Sequence, residues 1–257
     1  MRRPAFVLSR PRGKKGSAQR TPKRGETIAF AAKVLTLGCA ALAVVLAPAR
    51  VLAQSDEADL KSMSVHINRS PQQPWPGYGV YLGAGLILTA AHVPGNVVET
   101  KPHVVIAGED LPASLVKQGE LEGVDLTLLS IDATKLPVQL RMRRTPLCER
   151  ESYAGESVVV ATPEGTAGSS VLPRQAIPAE LRGRFGTAIA YVAATGNSGS
   201  GVFDAATQCL LGIISRKISI VQQDLKLGAP GRTTRDIAKY FVPATDIKAF
   251  IPATVSF

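Results

Sequence analysis

From residue 62 to residue 215 the apolar positions of the chain fall into short runs separated by turn residues. Ser62 to Asn68 alternates, with Met63, Val65 and Ile67 on one face and His66 on the opposite, polar face, where it reads as a surface residue. Tyr78 to Leu82 and Leu86 to Thr89 are two strand-like runs joined by Gly83-Ala84-Gly85. Val104 to Ala107, Ala113 to Val116 and Leu126 to Ile131 continue the series. Pro137 to Glu149 reads as a linker whose Arg141, Arg143 and Arg144 form a solvated face. Ser157 to Ala161, Ala188 to Ala193, Gly201 to Phe203 and Leu210 to Ser215 resume the pattern. A long helical period appears only at Pro243 to Ile251, where proline suits the first turn and Ile247, Phe250 and Ile251 share a face.

Many short strands, frequent Gly/Pro turns and one closing helix predict an all-β fold. The length available suits two six-stranded antiparallel β-barrels with a C-terminal helix. The first barrel is expected over about 62–140, the second over about 150–240 and the helix over about 243–252.

Charge changes the picture at the front of the chain. The 257 residues carry a formal +10, which by itself would suggest an anionic partner. Residues 1–53, however, hold eleven Lys/Arg and the single acid Glu26, so residues 54–257 carry nineteen of each sign. The basic character belongs to the leader, and no nucleic-acid partner is expected. Arg2 to Arg24 is a polar basic stretch ahead of the apolar run Val34 to Ala47, followed by Pro48 and small residues up to Ala53. That order is the grammar of an export signal. Two readings stay open: cleavage after Ala49 or Ala53, or an uncleaved anchor over Ile28 to Ala47. Both place residues 54–257 outside the cytoplasm, periplasmic or secreted, because basic flanks stay inside. A membrane is met only through the uncleaved segment.

The chain has three cysteines. Loss of Cys39 with a signal leaves Cys148 and Cys209, a pair suited to an oxidising compartment. Two buried free thiols are the alternative.

The candidate chemistry centres on Ala194 to Phe203, a glycine-spaced loop around Ser198 that leads into a buried strand. Glycines let such a loop turn its N–H groups toward a bound atom, and an exposed serine there suits a nucleophile. A serine hydroxyl needs a base, and of the three histidines only His92 ends an apolar strand. His103 lies in a polar loop. Asp125, at the mouth of the run Leu126 to Leu129, suits an acceptor that fixes the imidazole tautomer.

Leu88-Thr89-Ala90-Ala91-His92, Val124-Asp125-Leu126-Thr127-Leu128-Leu129 and Gly196-Asn197-Ser198-Gly199-Ser200 resemble the three signature blocks of trypsin-like (chymotrypsin-fold) serine proteases, in that family's order. The resemblance implies a serine endopeptidase acting on protein or peptide substrates without a cofactor or metal. His92 would be the base, Asp125 its orienting group and Ser198 the nucleophile, with the N–H groups of Gly196 and Ser198 as oxyanion hole. Leu211 to Ser215 resembles the strand that pairs with a bound substrate backbone, with Ser215 and Arg216 at its substrate-facing edge. Ser200 is expected to make a local contact in the turn.

The departures from the family pattern inform as well. Asn197 precedes the serine where digestive members carry aspartate, so their zymogen switch should be missing. Asn197 and Ser200 instead resemble the bacterial Deg-type and glutamyl endopeptidase branches. Val192 stands where trypsin has its pocket carboxylate, which argues against a Lys/Arg preference and points to an apolar or small side chain before the scissile bond. Glutamyl enzymes carry a histidine on the strand after the serine, where this chain has Ile213 and Ile214. The alternative function is a catalytically inactive, peptide-binding or scaffolding relative of the same fold.

Overall fold

The computed structural model describes residues 57–72, 75–190, 198–224 and 231–257, with the side chains of 222–224 and 231–232 excepted. The leader, Val192, Gly196 and Asn197 lie outside the described residues. Helix α1 (57–62) leads into β1 (Ser64–Asn68), β2 (Gly77–Gly83) and β3 (Leu86–Thr89). After α2 (Val97–Thr100) come β4 (His103–Ile106), β5 (Glu109–Pro112), β6 (Ser114–Gln118) and β7 (Thr127–Ser130). These seven strands form one antiparallel sheet in the order β5-β4-β1-β2-β3-β7-β6.

Helix α3 (Val138–Met142) follows, and then β8 (Ser157–Ala161), β9 (Thr166–Ser170), β10 (Ala188–Ile189), β11 (Gly201–Asp204), β12 (Leu210–Asp224) and β13 (Gly231–Pro243). They make a six-stranded antiparallel sheet in the order β10-β13-β12-β11-β8-β9, closed by α4 (Ala244–Phe250). The architecture is the all-β double barrel expected. Among the described residues no helix is long and apolar enough to cross a membrane.

Three elements differ from the sequence reading. The first sheet has seven strands, not six, because Glu109–Pro112 pairs with β4 through the two-residue turn Ala107-Gly108. Both turn residues have positive φ (51° and 85°), as a twisted hairpin requires. β5 buries only Leu111, so no apolar alternation betrays it. The linker 137–149 contains α3, whose Leu140 enters the first core. β12 and β13 form a hairpin far longer than Leu210 to Ser215, pairing out to Asp224 opposite Gly231 and burying Ile218 and Ala238 on the way.

Alternation along the central strands explains how the two sheets meet. Tyr81, Ile87 and Leu129 point into the first core, while their neighbours Val80, Leu82, Leu86, Leu88 and Leu128 turn to the opposite side. There they pack with Ala161, Phe203, Leu210 and Ile213 of the second half and with Ile247 and Phe250 of α4. Strands buried on both faces read as continuous apolar runs, which is how β2, β3 and β7 look in the sequence. A second core of Val158, Val160, Val202, Leu211, Ile214 and Phe241 fills the other sheet. Cys148 and Cys209 are joined by a disulfide, with Cα atoms 5.0 Å apart, beside this core. The two cysteines are 61 residues apart in the chain, and closing a loop of that length removes roughly 4 kcal/mol of unfolded-chain entropy.

Candidate active site

His92 and Asp125 both come from the first sheet. β3 ends at Thr89, and a turn in which Val93 N–H donates to Ala90 O (3.0 Å) brings His92 out of the sheet. Asp125 lies two residues before β7, which pairs with β3 through Thr89 opposite Thr127. Adjacent strand ends thus place the imidazole beside the carboxylate. His92 Nδ1 is 2.9 Å from Asp125 Oδ2 and 3.2 Å from Oδ1, and the His92 backbone N–H donates to Oδ1 at 3.2 Å. With Asp125 only 1 % exposed, water does not compete for it.

The second sheet contributes the rest. Ser215, at the bulge of β12, is fully buried and donates its Oγ to Asp125 Oδ2 in a short hydrogen bond. Burial acts to raise the Asp125 pKa, but the hydrogen bonds from His92 and Ser215 and the imidazole charge outweigh it and hold the carboxyl below its ordinary range. The carboxylate is therefore charged at neutral pH, and it selects the tautomer with the proton on Nδ1. Nε2 is then left with its lone pair.

Ser198 sits half-buried on a turn clamped from both halves of the molecule. Tyr78 N–H donates to Ser198 O (2.9 Å), and Gly199 N–H donates to Ile214 O (2.7 Å). Gly199 has φ of +87°, and a Cβ there would lie 1.8 Å from Tyr78 O, so only glycine fits. Ser198 Oγ donates to Ser215 O at 3.2 Å. Ser215 thus touches two of the three key residues, accepting from Ser198 with its carbonyl and donating to Asp125 with its hydroxyl.

Arg216 does not simply edge the cleft. Its Nη2 donates to Leu121 O, its Nη1 is 4.0 Å from Glu122 Oε1, and its guanidinium lies 5.9 Å from the Phe185 ring. It bridges the loop before Asp125 to β12, across a cavity of about 520 Å³ also lined by Arg184 and Tyr240. Of the other sequence-derived sites, Ser215 is placed at the centre, while Val192 and Gly196 fall outside the described residues.

Two expectations need correction. His66 is not a surface residue: it is half-buried, stacked on Trp75 with ring centroids 4.0 Å apart, and its Nε2 is 3.4 Å from Glu164. Ser200 makes no turn contact through its side chain: its Oγ is buried without a hydrogen-bond partner among the described residues, and only its backbone pairs, accepting from Ile214 N–H at 2.9 Å. His103 pairs with Asp110 (2.8 Å), away from this cluster in the β4–β5 hairpin. The contact between Ser215 Oγ and Asp125 was not foreseen. The two lie ninety residues apart, and no local pattern marks a serine that hydrogen-bonds across a sheet interface. Among the described residues no group of three or more His, Cys, Asp or Glu is placed to hold a metal ion.

Comparison with known proteins adds the family. The model of the trypsin-like peptidase domain matches residues 77–213. No curated protein sequence gives a significant match. Among solved structures, the fold is similar to the active form of the Rv3671c protease from M. tuberculosis, at TM-score 0.51 and 16 % identity over 75 % of this chain and 81 % of that one. It is similar also to the MamO protease domain from Magnetospirillum magneticum, at TM-score 0.50 and 16 % identity over 75 % and 97 % of the two chains. Kallikrein-related peptidase 10 in complex with Zn2+ gives TM-score 0.51 and 16 % identity over 74 % and 93 %. At such identities these likenesses speak for the fold alone. With more than half of its length matched by the family model, the chain belongs to the trypsin-like peptidase family.

Proposed function

We propose that this protein is an exported serine endopeptidase that cleaves peptide bonds through an acyl-enzyme. The observation that carries the reading is the buried Asp125 carboxylate gripping His92 Nδ1, with Ser198 held across from it through Ser215. Nε2 of His92 takes the Ser198 proton as Oγ attacks the substrate carbonyl carbon. The resulting oxyanion is met by the N–H groups of Gly196 and Ser198, each donor contributing about 3 kcal/mol to the transition state. His92 then protonates the leaving amine, and water, activated by the same imidazole, releases the acyl group. Asp125 stays ionised throughout and stabilises the imidazolium.

Substrate would bind as an added strand. Beyond the bulge at Ser215, β12 pairs with β13 on one side, and among the described residues no strand pairs with its other edge. Residues Ser215 to Lys217 offer that edge to a peptide backbone. Residues 1–53 are proposed as the export leader, cleaved or retained as an anchor, and 54–257 as the peptidase domain. The Cys148–Cys209 disulfide suits an oxidising compartment.

The second reading, a peptide-binding relative without turnover, is favoured by one observation: Ser198 Oγ donates to the Ser215 carbonyl and not to His92. General-base hydrogen bonds commonly tighten only with substrate bound, so the enzymatic reading stands ahead. Fluorophosphonate labelling separates the two. Wild type should label at Ser198 and Ser198→Ala should not; equal labelling of both ends the protease reading.

A further inference from the structure

Lys239 is 4 % exposed, and nothing in the reaction above uses it. It stands on β13 opposite Lys217 of β12 and, on its other flank, opposite Ile189 of β10. Side chains that face one another across a ladder share a face of the sheet, as do residues two apart along a strand. Lys239 therefore shares its face with Ile189 and Phe241, both members of the second core. An ammonium on such a face costs free energy unless an anion meets it. The neighbouring acid, Asp236, already accepts from Ser219 Oγ (2.6 Å) and from Lys217 Nζ (3.1 Å). Burial holds the Lys239 pKa below the ordinary lysine value, with Asp236 acting against that shift and Lys217 adding to it.

Its place in the sheet links this cation to the reaction. β12 passes from Ser215, whose carbonyl accepts from Ser198, to Lys217 two residues on. β10 is the strand preceding Ser198 in the chain, and β13 joins β10 to β12 at Lys239. A peptide with its carbonyl at Ser198 and its backbone on the free edge of β12, beside Ser215 to Lys217, would have Lys239 one strand inward, on the face that Lys239 shares with Lys217. We infer that Lys239 is a specificity-determining residue that selects an acidic side chain, Asp or Glu, on the substrate residue contributing the scissile carbonyl. This rests on the protease reading of the same site, and it replaces the apolar or small side chain that Val192 suggested.

The test uses two peptides that differ only in Glu or Gln at that residue. Wild-type kcat/KM should favour Glu by about thirtyfold, the size expected of a buried charge-assisted contact. Lys239→Met should abolish the preference, and Lys239→Arg should keep most of it. A wild-type ratio near one, or a preference that survives in folded Lys239→Met, overturns the inference. If Lys239→Met fails to fold, the wild-type ratio decides. Should fluorophosphonate labelling and turnover both fail, anisotropy on Ser198→Ala with the same peptides decides: tighter binding of Glu upholds the role of Lys239, and equal binding overturns it.

Discussion

The two sheets contribute to the site in different ways. The first supplies His92 and Asp125 from the ends of β3 and β7, neighbouring strands buried on both faces and aligned by regular pairing. The His92–Asp125 pair is thus placed by strand packing, held by the same contacts that hold the core. The second sheet supplies Ser198, Ser215, Arg216 and Lys239 from a bulged strand, a tight turn and a long hairpin with an open edge. Its positions are set by bulges, a positive-φ glycine and buried polar groups. Under the proposed function, proton handling falls to the first sheet and recognition to the second. Among the described residues, the hydrogen bonds that join them at the site include Tyr78 N–H to Ser198 O, Ser215 Oγ to Asp125 and Arg216 Nη2 to Leu121 O.

That division can be broken from either side. Asp125→Asn should fold with an unchanged far-UV spectrum yet lose roughly 10⁴ in kcat, about 5 kcal/mol, because the amide favours the wrong imidazole tautomer. A loss under tenfold would show that the first sheet does not supply the orienting group. Replacing Cys148 and Cys209 together by alanine should cost about 4 kcal/mol of stability by denaturant titration. Labelling of Ser198 should persist where the protein stays folded, since the disulfide lies away from the triad.

Gly199→Ala attacks the joint itself. The clash with Tyr78 O and the positive φ should cost about 3 kcal/mol and lower the Tm by about 6–12 °C, with loss of Ser198 labelling. A variant that labels at the wild-type rate would mean that the turn is not needed to present the hydroxyl. Ser215→Ala is the mildest change, expected to lower kcat about tenfold by removing one charge-assisted hydrogen bond to Asp125.

Ser215→Ala also carries a signed pH effect. The Asp125 pKa is depressed in the folded protein, so its stabilising contribution is present above the unfolded carboxylate value and is lost as pH falls through the folded one. Without the Ser215 hydroxyl the folded pKa rises, and the loss in acid begins at higher pH. Acid titration of stability should move in that direction; an unmoved profile would mean that His92 alone sets the carboxylate.

The chain's local chemistry, read as sequence, reached a good part of this. His92, Asp125 and Ser198 stand in short blocks that define a strand end, a strand mouth and a glycine turn, and it was the resemblance of the three blocks to a family, more than any one of them, that made these residues candidates. The strands that build the interface between the sheets were equally legible, because residues buried on both faces leave continuous apolar runs. Tertiary structure alone decided what depends on distant pairing. Polar β5 is a strand only because β4 gives it a partner, and the outer β12–β13 hairpin is defined by the pairing of its two strands. Ser215 meets Asp125 across ninety residues, and Cys148 and Cys209 are bonded because the fold brings their backbones together. Lys239 stands in the run Ile237-Ala238-Lys239-Tyr240-Phe241-Val242, which the sequence reading did not single out. Only the fold shows that it is buried, one strand in from the edge proposed to bind substrate.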